Sequence, residues 1–160
     1  DLNATSNPFG FTRKTRLNSL TFNNDGTKLF VADIGANAGD RAVIIEFDLS
    51  SPFDFGTTSS SISPNITAMR DGTNINEFTV STKINGIVFN HNGTKMYVSS
   101  SKSGNSELIQ FKLTTAFDTS TRVHEGTIDM TTLGVDQITQ QVFSSDGSKL
   151  FVLDLSLIHI

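Results

Sequence analysis

Side chains that could carry chemistry are few in this chain of 160 residues. There are three histidines: His91 in an expected turn, His124 before an expected outer strand, and His159 close to the C-terminus. Nucleophilic hydrolysis needs a hydroxyl within reach of a base that a carboxylate orients. None of the three histidines has such a setting in sequence, although triad members meet in space and not in sequence, and surface turn positions are the simpler reading. There is no cysteine, which excludes disulfides, thiolate chemistry and cysteine-based zinc sites. One segment has the makings of a cation loop. Residues 32–42, ADIGANAGDRA, carry Asp33, Asn37 and Asp40 with glycines between them. Oxygen ligands so spaced can wrap calcium. The pattern is not that of an EF-hand loop, and the corresponding segment 98–108, VSSSKSGNSEL, carries no aspartate. A solvated loop kinked at its glycines is the competing reading. The triplets DGT and NGT contain no phosphate cradle, and no helix follows them. No cofactor is expected.

Bulk composition narrows the partners. Hydrophobic residues make up 36% and charged residues 18%, both low for a globular chain. Ser, Thr and Asn number 19, 20 and 13, about a third of the sequence. These side chains compete with a helical backbone for hydrogen bonds and suit turns and solvent-facing strand positions. The net charge is −4, with no basic stripe, so nucleic acid is not an expected partner. No run of 18 apolar residues is present, so no membrane insertion is expected.

Positioning of these residues follows from an internal repeat. Residues 22–31, FNNDGTKLFV, return at 89–98 as FNHNGTKMYV and at 143–152 as FSSDGSKLFV. Residues 11–31 align with 78–98 without a gap, and 10 of 21 positions are identical. A second pair, EFDLSSPFD at 46–54 and QFKLTTAFD at 110–118, repeats at an offset of 64. Asp-Gly or Asn-Gly between apolar runs is a strong hairpin signal, because glycine takes positive φ at no steric cost. Each unit therefore predicts a first strand (19–22, 86–89), a turn, and a second strand apolar on both faces (28–32, 95–99). A polar loop (34–41, 100–106), a third strand (43–49, 108–113) and a weaker fourth (near 77–80 and 126–130) complete it. Eleven of the 13 phenylalanines fall in repeat register, all but Phe9 and Phe55. They are expected to fill the space between neighbouring units, not to form a stacking platform for a ligand.

The hairpin FNNDGTKLFVAD and the later VIIEFDLSSPFD resemble the repeats of bacterial β-propellers of the YVTN and lactonase-like kinds, and of surface and phage-particle propellers. The resemblance implies an all-β fold: about two and a half four-stranded antiparallel blades of a 6–8-bladed propeller. It assigns 8–16 to the outer strand of a preceding blade, 17–80 and 84–130 to two blades, and 138–154 to the start of a third. The chain is accordingly expected to be a piece of a longer protein from environmental DNA. Its last residues, 155–160 (LSLIHI), resemble a translated sequencing adapter and are expected to be a non-native tail.

In such propellers ligands meet the face around the central channel, where loops lead into the innermost strands. The matching segments are TRLN (15–18), TKIN (82–85) and DQIT (136–139). Arg16, Lys83 and Gln137 are equivalent in register, as are Asn18, Asn85 and Thr139. Of these, Arg16, Asn18, Lys83, Asn85 and Gln137, together with Asp136, are the candidate ligand-binding residues, for an anionic or hydroxyl-rich ligand. The alternative is that these groups only satisfy the backbone at the strand starts. Three functions remain open. The first is a non-catalytic module of an extracellular, cell-surface, periplasmic or phage-particle protein that binds glycan or protein. The second is the scaffold of a lactonase-like or other hydrolytic propeller. The third is a structural spacer.

Overall fold

A computed structural model describes residues 17–33, 43–54, 65–68, 84–102 and 105–155. The chain is all-β, and its strands form three antiparallel sheets. The first sheet runs in chain order through β1 (Leu17–Phe22), β2 (Lys28–Asp33), β3 (Val43–Asp48) and β4 (Asn65–Ala68). The second repeats that meander with β5 (Ile84–Phe89), β6 (Lys95–Lys102), β7 (Asn105–Leu113) and β8 (Arg122–Asp129). The third pairs β9 (Ile138–Phe143) with β10 (Leu150–Asp154). The sheets do not close into a ring among the described residues.

Each first hairpin is built by its polar string. Gly26, Gly93 and Gly147 take φ of +72°, +69° and +69°, the left-handed region where glycine bears no Cβ penalty. The residue before each glycine acts through its side-chain oxygen. Asp25 Oδ1 accepts from the Thr27 amide (3.0 Å) and hydroxyl (2.6 Å), Asn92 Oδ1 from Thr94 (3.2 and 2.6 Å), and Asp146 Oδ1 from Ser148 (3.0 and 2.8 Å). The residue after Phe22 and Phe89 closes the loop, as Asn23 and Asn90 Oδ1 accept from the Lys28 and Lys95 amides at 2.8 and 2.9 Å. The repeated string is thus hairpin chemistry, with the Asx side chains substituting for backbone partners.

The sheets stack face to face in chain order. Phe30, Ala32 and Ile44 of the first sheet share a buried cluster with Ile84, Ile87, Phe89, Met96, Val98, Ile109 and Phe111 of the second. The opposite face of the second sheet, at Tyr97 and Leu108, packs against Ile138, Leu150 and Val152 of the third. The same ring pair recurs at both interfaces: Phe30 lies 4.4 Å from Phe89, and Tyr97 lies 4.9 Å from Phe143. The first strands stand next to one another, β1 against β5 and β5 against β9.

Several expectations need correction. The expected polar loop at 100–106 is largely strand, and Ser100, Ser101 and Ser106 are buried. The cross-strand pairs Ser100↔Glu107, Ser101↔Ser106 and Lys102↔Asn105 continue the ladder, so serine here fills tight interior space. The fourth strand of the second sheet begins at Arg122, earlier than expected, because its pairing runs down to Leu113. His124 consequently lies inside β8 and not before it, with its ring edge-on to Phe111 at 5.9 Å. The first sheet takes its fourth strand from Asn65–Ala68, while the expected strand at 77–80 lies outside the described residues.

The phenylalanines also divide. Phe30, Phe47, Phe89 and Phe111 are buried as expected, and Phe22, Phe117 and Phe143 are half-buried. Phe53 and Phe151, expected in the core, are 57% and 55% exposed. Phe53 sits on a turn, and Phe151 lies on the third sheet, where no further sheet among the described residues covers it. Phe11 and Phe78 lie outside the described residues.

Candidate functional site

The stacking of first strands brings their starts to one edge. Asn18 donates from Nδ2 to the Ile84 carbonyl at 2.8 Å and to Asn85 Oδ1 at 3.2 Å. One sheet further along, Asn85 donates from Nδ2 to the Ile138 carbonyl at 2.8 Å and to the Ser101 hydroxyl. The two asparagines thus staple each sheet to the next through a backbone carbonyl. Thr139, the third in register, donates instead to the Leu153 carbonyl of its own sheet, 3.1 Å away. Where the loop leads into β9, the buried Asp154 carboxylate accepts from the Asp136 amide (3.2 Å) and the Gln137 amide (3.1 Å). The side chains of Asp136 and Gln137 are exposed. Arg16 and Lys83 lie outside the described residues.

The four described candidates divide by what the fold asks of them. Asn18 and Asn85 lie within strands and each spends an amide donor on the neighbouring sheet. Asp136 and Gln137 are held by their backbones and leave their side chains to solvent. Of the calcium candidates, Asp33 is in strand β2, paired with Leu17 and Val43, and not in a loop. It holds the register position of Asp154, whose carboxylate anchors backbone amides. Asn37 and Asp40 lie outside the described residues, as does His159. No group of three or more potential metal ligands occurs among the described residues.

Two features escaped the sequence. A buried carboxylate clamps the first two sheets together. Glu46, 5% exposed, receives Lys28 Nζ on Oε1 at 2.6 Å and both the amide and hydroxyl of the buried Thr119 on Oε2, each at 3.2 Å. Lys28 also reaches Asp48 at 2.7 Å. Burial pulls the Lys28 pKa down, but its hydrogen bonds and charge attraction to Asp48 and Glu46 outweigh that and hold it above 10.5. Both Glu46 oxygens are engaged, so the carboxylate is placed to fix the sheets and not to shuttle a proton. The second sheet has a looser counterpart in which Glu125 meets Gln110 at 2.6 Å and Lys95 at 3.1 Å.

The other feature is a positive-φ phenylalanine in each complete unit. Phe53 (φ 59°) and Phe117 (φ 56°) lay their rings against the hairpin glycines. A Cβ built on Gly26 or Gly93 would lie 2.4 or 2.3 Å from those rings. The left-handed region is uncommon for an aromatic residue. It is held here by backbone bonds from the Phe53 and Phe117 amides to the Gly26 and Gly93 carbonyls, at 2.9 and 3.0 Å. The recurrence of Phe-Asp at 53–54 and 117–118 was visible in sequence, but the backbone angle was not. Beside these turns lies a cavity of about 310 Å³ lined by Phe89, Tyr97, Phe117 and Phe143, with Asn24 and His91 at its polar side. Asn24 Nδ2 bonds to the His91 carbonyl and stands 3.1 Å from its Nδ1, which ties the two turns together.

Comparison with protein-family profiles, with curated proteins and with solved structures finds no match.

Proposed function

We propose that the chain is a non-catalytic module of β-propeller type that binds a glycan or protein through the edge where its first strands begin. The carrying observation is the alignment of those strand starts. Asn18, Asn85, Thr139, Asp136 and Gln137 fall along one polar edge, joined by the bonds from Asn18 to Asn85 and from Asn85 to the Ile138 carbonyl. At that edge the exposed side chains of Asp136 and Gln137 offer a carboxylate acceptor and an amide, which suits hydroxyl-rich or peptide-like ligands more than anionic ones. The serial meanders with adjacent first strands support the propeller reading, since blades repeat radially in that order. The richness in Ser, Thr and Asn and the low charge fit a protein of the cell surface, periplasm, extracellular space or a phage particle.

The test is a glycan array probed with the chain and with an Asp136→Ala/Gln137→Ala variant. These side chains are exposed, so the variant keeps the fold. Binding to a defined glycan set that falls ~10-fold or more in the variant supports this reading. Signal unchanged by the substitutions, or turnover of a lactone or ester by the chain itself, overturns it.

A further inference from the structure

Two of the three hairpins carry the same attachment, and the third lacks it. On the first, β3 pairs along β2 with Phe47 opposite Leu29, the Leu49 amide donates to the Thr27 carbonyl (2.7 Å), and Phe53 caps Gly26. On the second, β7 pairs along β6 with Phe111 opposite Met96, the Leu113 amide donates to the Thr94 carbonyl (2.8 Å), and Phe117 caps Gly93. On the third, β10 pairs with β9 alone, so the other side of Leu150–Leu153 has no partner strand among the described residues. No atom of the described residues lies within 4 Å of where a Gly147 Cβ would stand. No backbone donor among the described residues reaches the Gly147 or Ser148 carbonyl. The hairpin itself is fully formed, with Gly147 at φ +69° and the Ser144 amide on the Lys149 carbonyl at 2.9 Å.

We propose that the outer edge of β10 and its hairpin form a strand-addition site. Its occupant is an extended segment of the pattern Glu/Gln-Phe-x-Leu, two Ser/Thr, any residue, then Phe-Asp. Main-chain bonds to an exposed strand edge supply affinity in such sites, and pockets for alternate side chains supply selectivity. The register follows from the two occupied hairpins. The first Phe of the segment stands opposite Leu150, and its ring enters the seam between the second and third sheets against Tyr97 and Leu108. These are the counterparts of Phe30 and Ile44, with which Phe111 shares a cluster. The Leu amide meets the Ser148 carbonyl. The second Phe turns into the left-handed region, bonds the Gly147 carbonyl and lays its ring on the glycine. This site is separate from the polar edge of the proposed ligand face, and it stands or falls independently of that reading.

The experiment uses the whole chain and a fluorescein-labelled nonapeptide, QFKLTTAFD. Three controls accompany it: the peptide with its second Phe replaced by Ala, the peptide with Lys replaced by Pro, and a scrambled peptide. Saturable binding of the parent peptide is expected in fluorescence anisotropy. It should weaken ~5-fold on loss of the ring, as fits an aromatic contact without full burial. Proline in the strand removes a ladder donor and should weaken it likewise. On the protein side, Gly147→Ala should weaken binding about as much as loss of the ring does, because its Cβ takes the place of the ring. The peptide controls leave the protein untouched and keep the test valid if that variant folds poorly. Absence of saturable binding at ~1 mM, or equal binding of the parent and the Ala or Pro peptides, overturns the proposal. So does a chain dimer in sedimentation that the peptide fails to dissociate, because the edge would then belong to a second copy.

Discussion

Phe89 and Phe53 hold equally regular places in the repeat, yet they bear different loads. Phe89 is buried between sheets, against Phe30 at 4.4 Å and Phe117 at 5.5 Å. Phe89→Ala is expected to cost about 3–5 kcal/mol, the range for truncating a buried aromatic. Phe53 is 57% exposed and rests on Gly26 and Phe22. Its replacement by Ala is expected to cost about 1 kcal/mol, an aromatic contact without full burial. Urea midpoints at constant m-value measure both. A loss below about 1 kcal/mol at Phe89 would remove it from the packing role assigned here. Asn85 makes a comparable case for polar packing. Asn85→Ala removes the bond to the Ile138 carbonyl and is expected to cost about 0.5–1.5 kcal/mol, the net worth of one hydrogen bond. An unchanged midpoint in that variant would show that the inter-sheet staple contributes nothing.

At the scale of elements, the three hairpins differ in one titratable atom. Asp25 and Asp146 accept hydrogen bonds from the hydroxyl and amide two residues on, whereas Asn92 does the same work without charge. The bond from the Ser144 hydroxyl, then those from the Ser148 amide and hydroxyl, bring the Asp146 pKa down to about 2. The Thr27 hydroxyl and amide lower that of Asp25. A carboxyl whose pKa is depressed in the folded state stabilises above its ordinary value and loses that contribution as pH falls through the folded value. The third hairpin should therefore weaken between about pH 4 and pH 2 and the first as pH falls below the ordinary aspartate value, while the middle one should not. Amide exchange or chemical-shift titration of each turn reads this directly. Asp146→Asn should make the third turn as insensitive to acid as the second. Weakening of the Asn92 turn over the same range would remove the carboxylates as its cause. The glycines offer a second comparison. Gly93→Ala meets the Phe117 ring as well as the strain of positive φ, whereas Gly147→Ala meets the strain alone, so the first should be the more destabilising.

For the whole molecule, the sheets are held in series by the same few devices: a ring pair, an asparagine staple and, between the first two, the Glu46 clamp. None of these needs a metal. Asp33 lies in a strand at the register position where Asp154 serves the backbone. Thermal melting is accordingly expected to be unaffected by calcium, in the parent chain and in Asp33→Ala and Asp40→Ala variants alike. A calcium-dependent rise in melting temperature that those variants lose would restore a cation site to the segment 32–42.

How much of this was legible beforehand follows from how local each interaction is. The hairpins, the first three strands of each unit and the burial of Phe30, Phe47, Phe89 and Phe111 could be read in advance. They depend on turn chemistry within six residues and on a register repeated along the chain. The buried serines at 99–101 and 106 could not, because a short polar run signals a loop unless the partner strand is known to continue beside it. Nor could the left-handed backbone of Phe53 and Phe117, which exists only because a hairpin glycine from earlier in the chain leaves room for the ring. Asn18 and Asn85 were visible as polar groups at strand starts. Whether their amides faced a ligand or the next sheet depended on residues more than 50 positions away. Sequence alone thus determined the repeating unit, since each unit's hairpin is closed by its own side chains. Tertiary structure decided which identical positions are buried, capped or bare, because that depends on whether a neighbouring sheet lies against them.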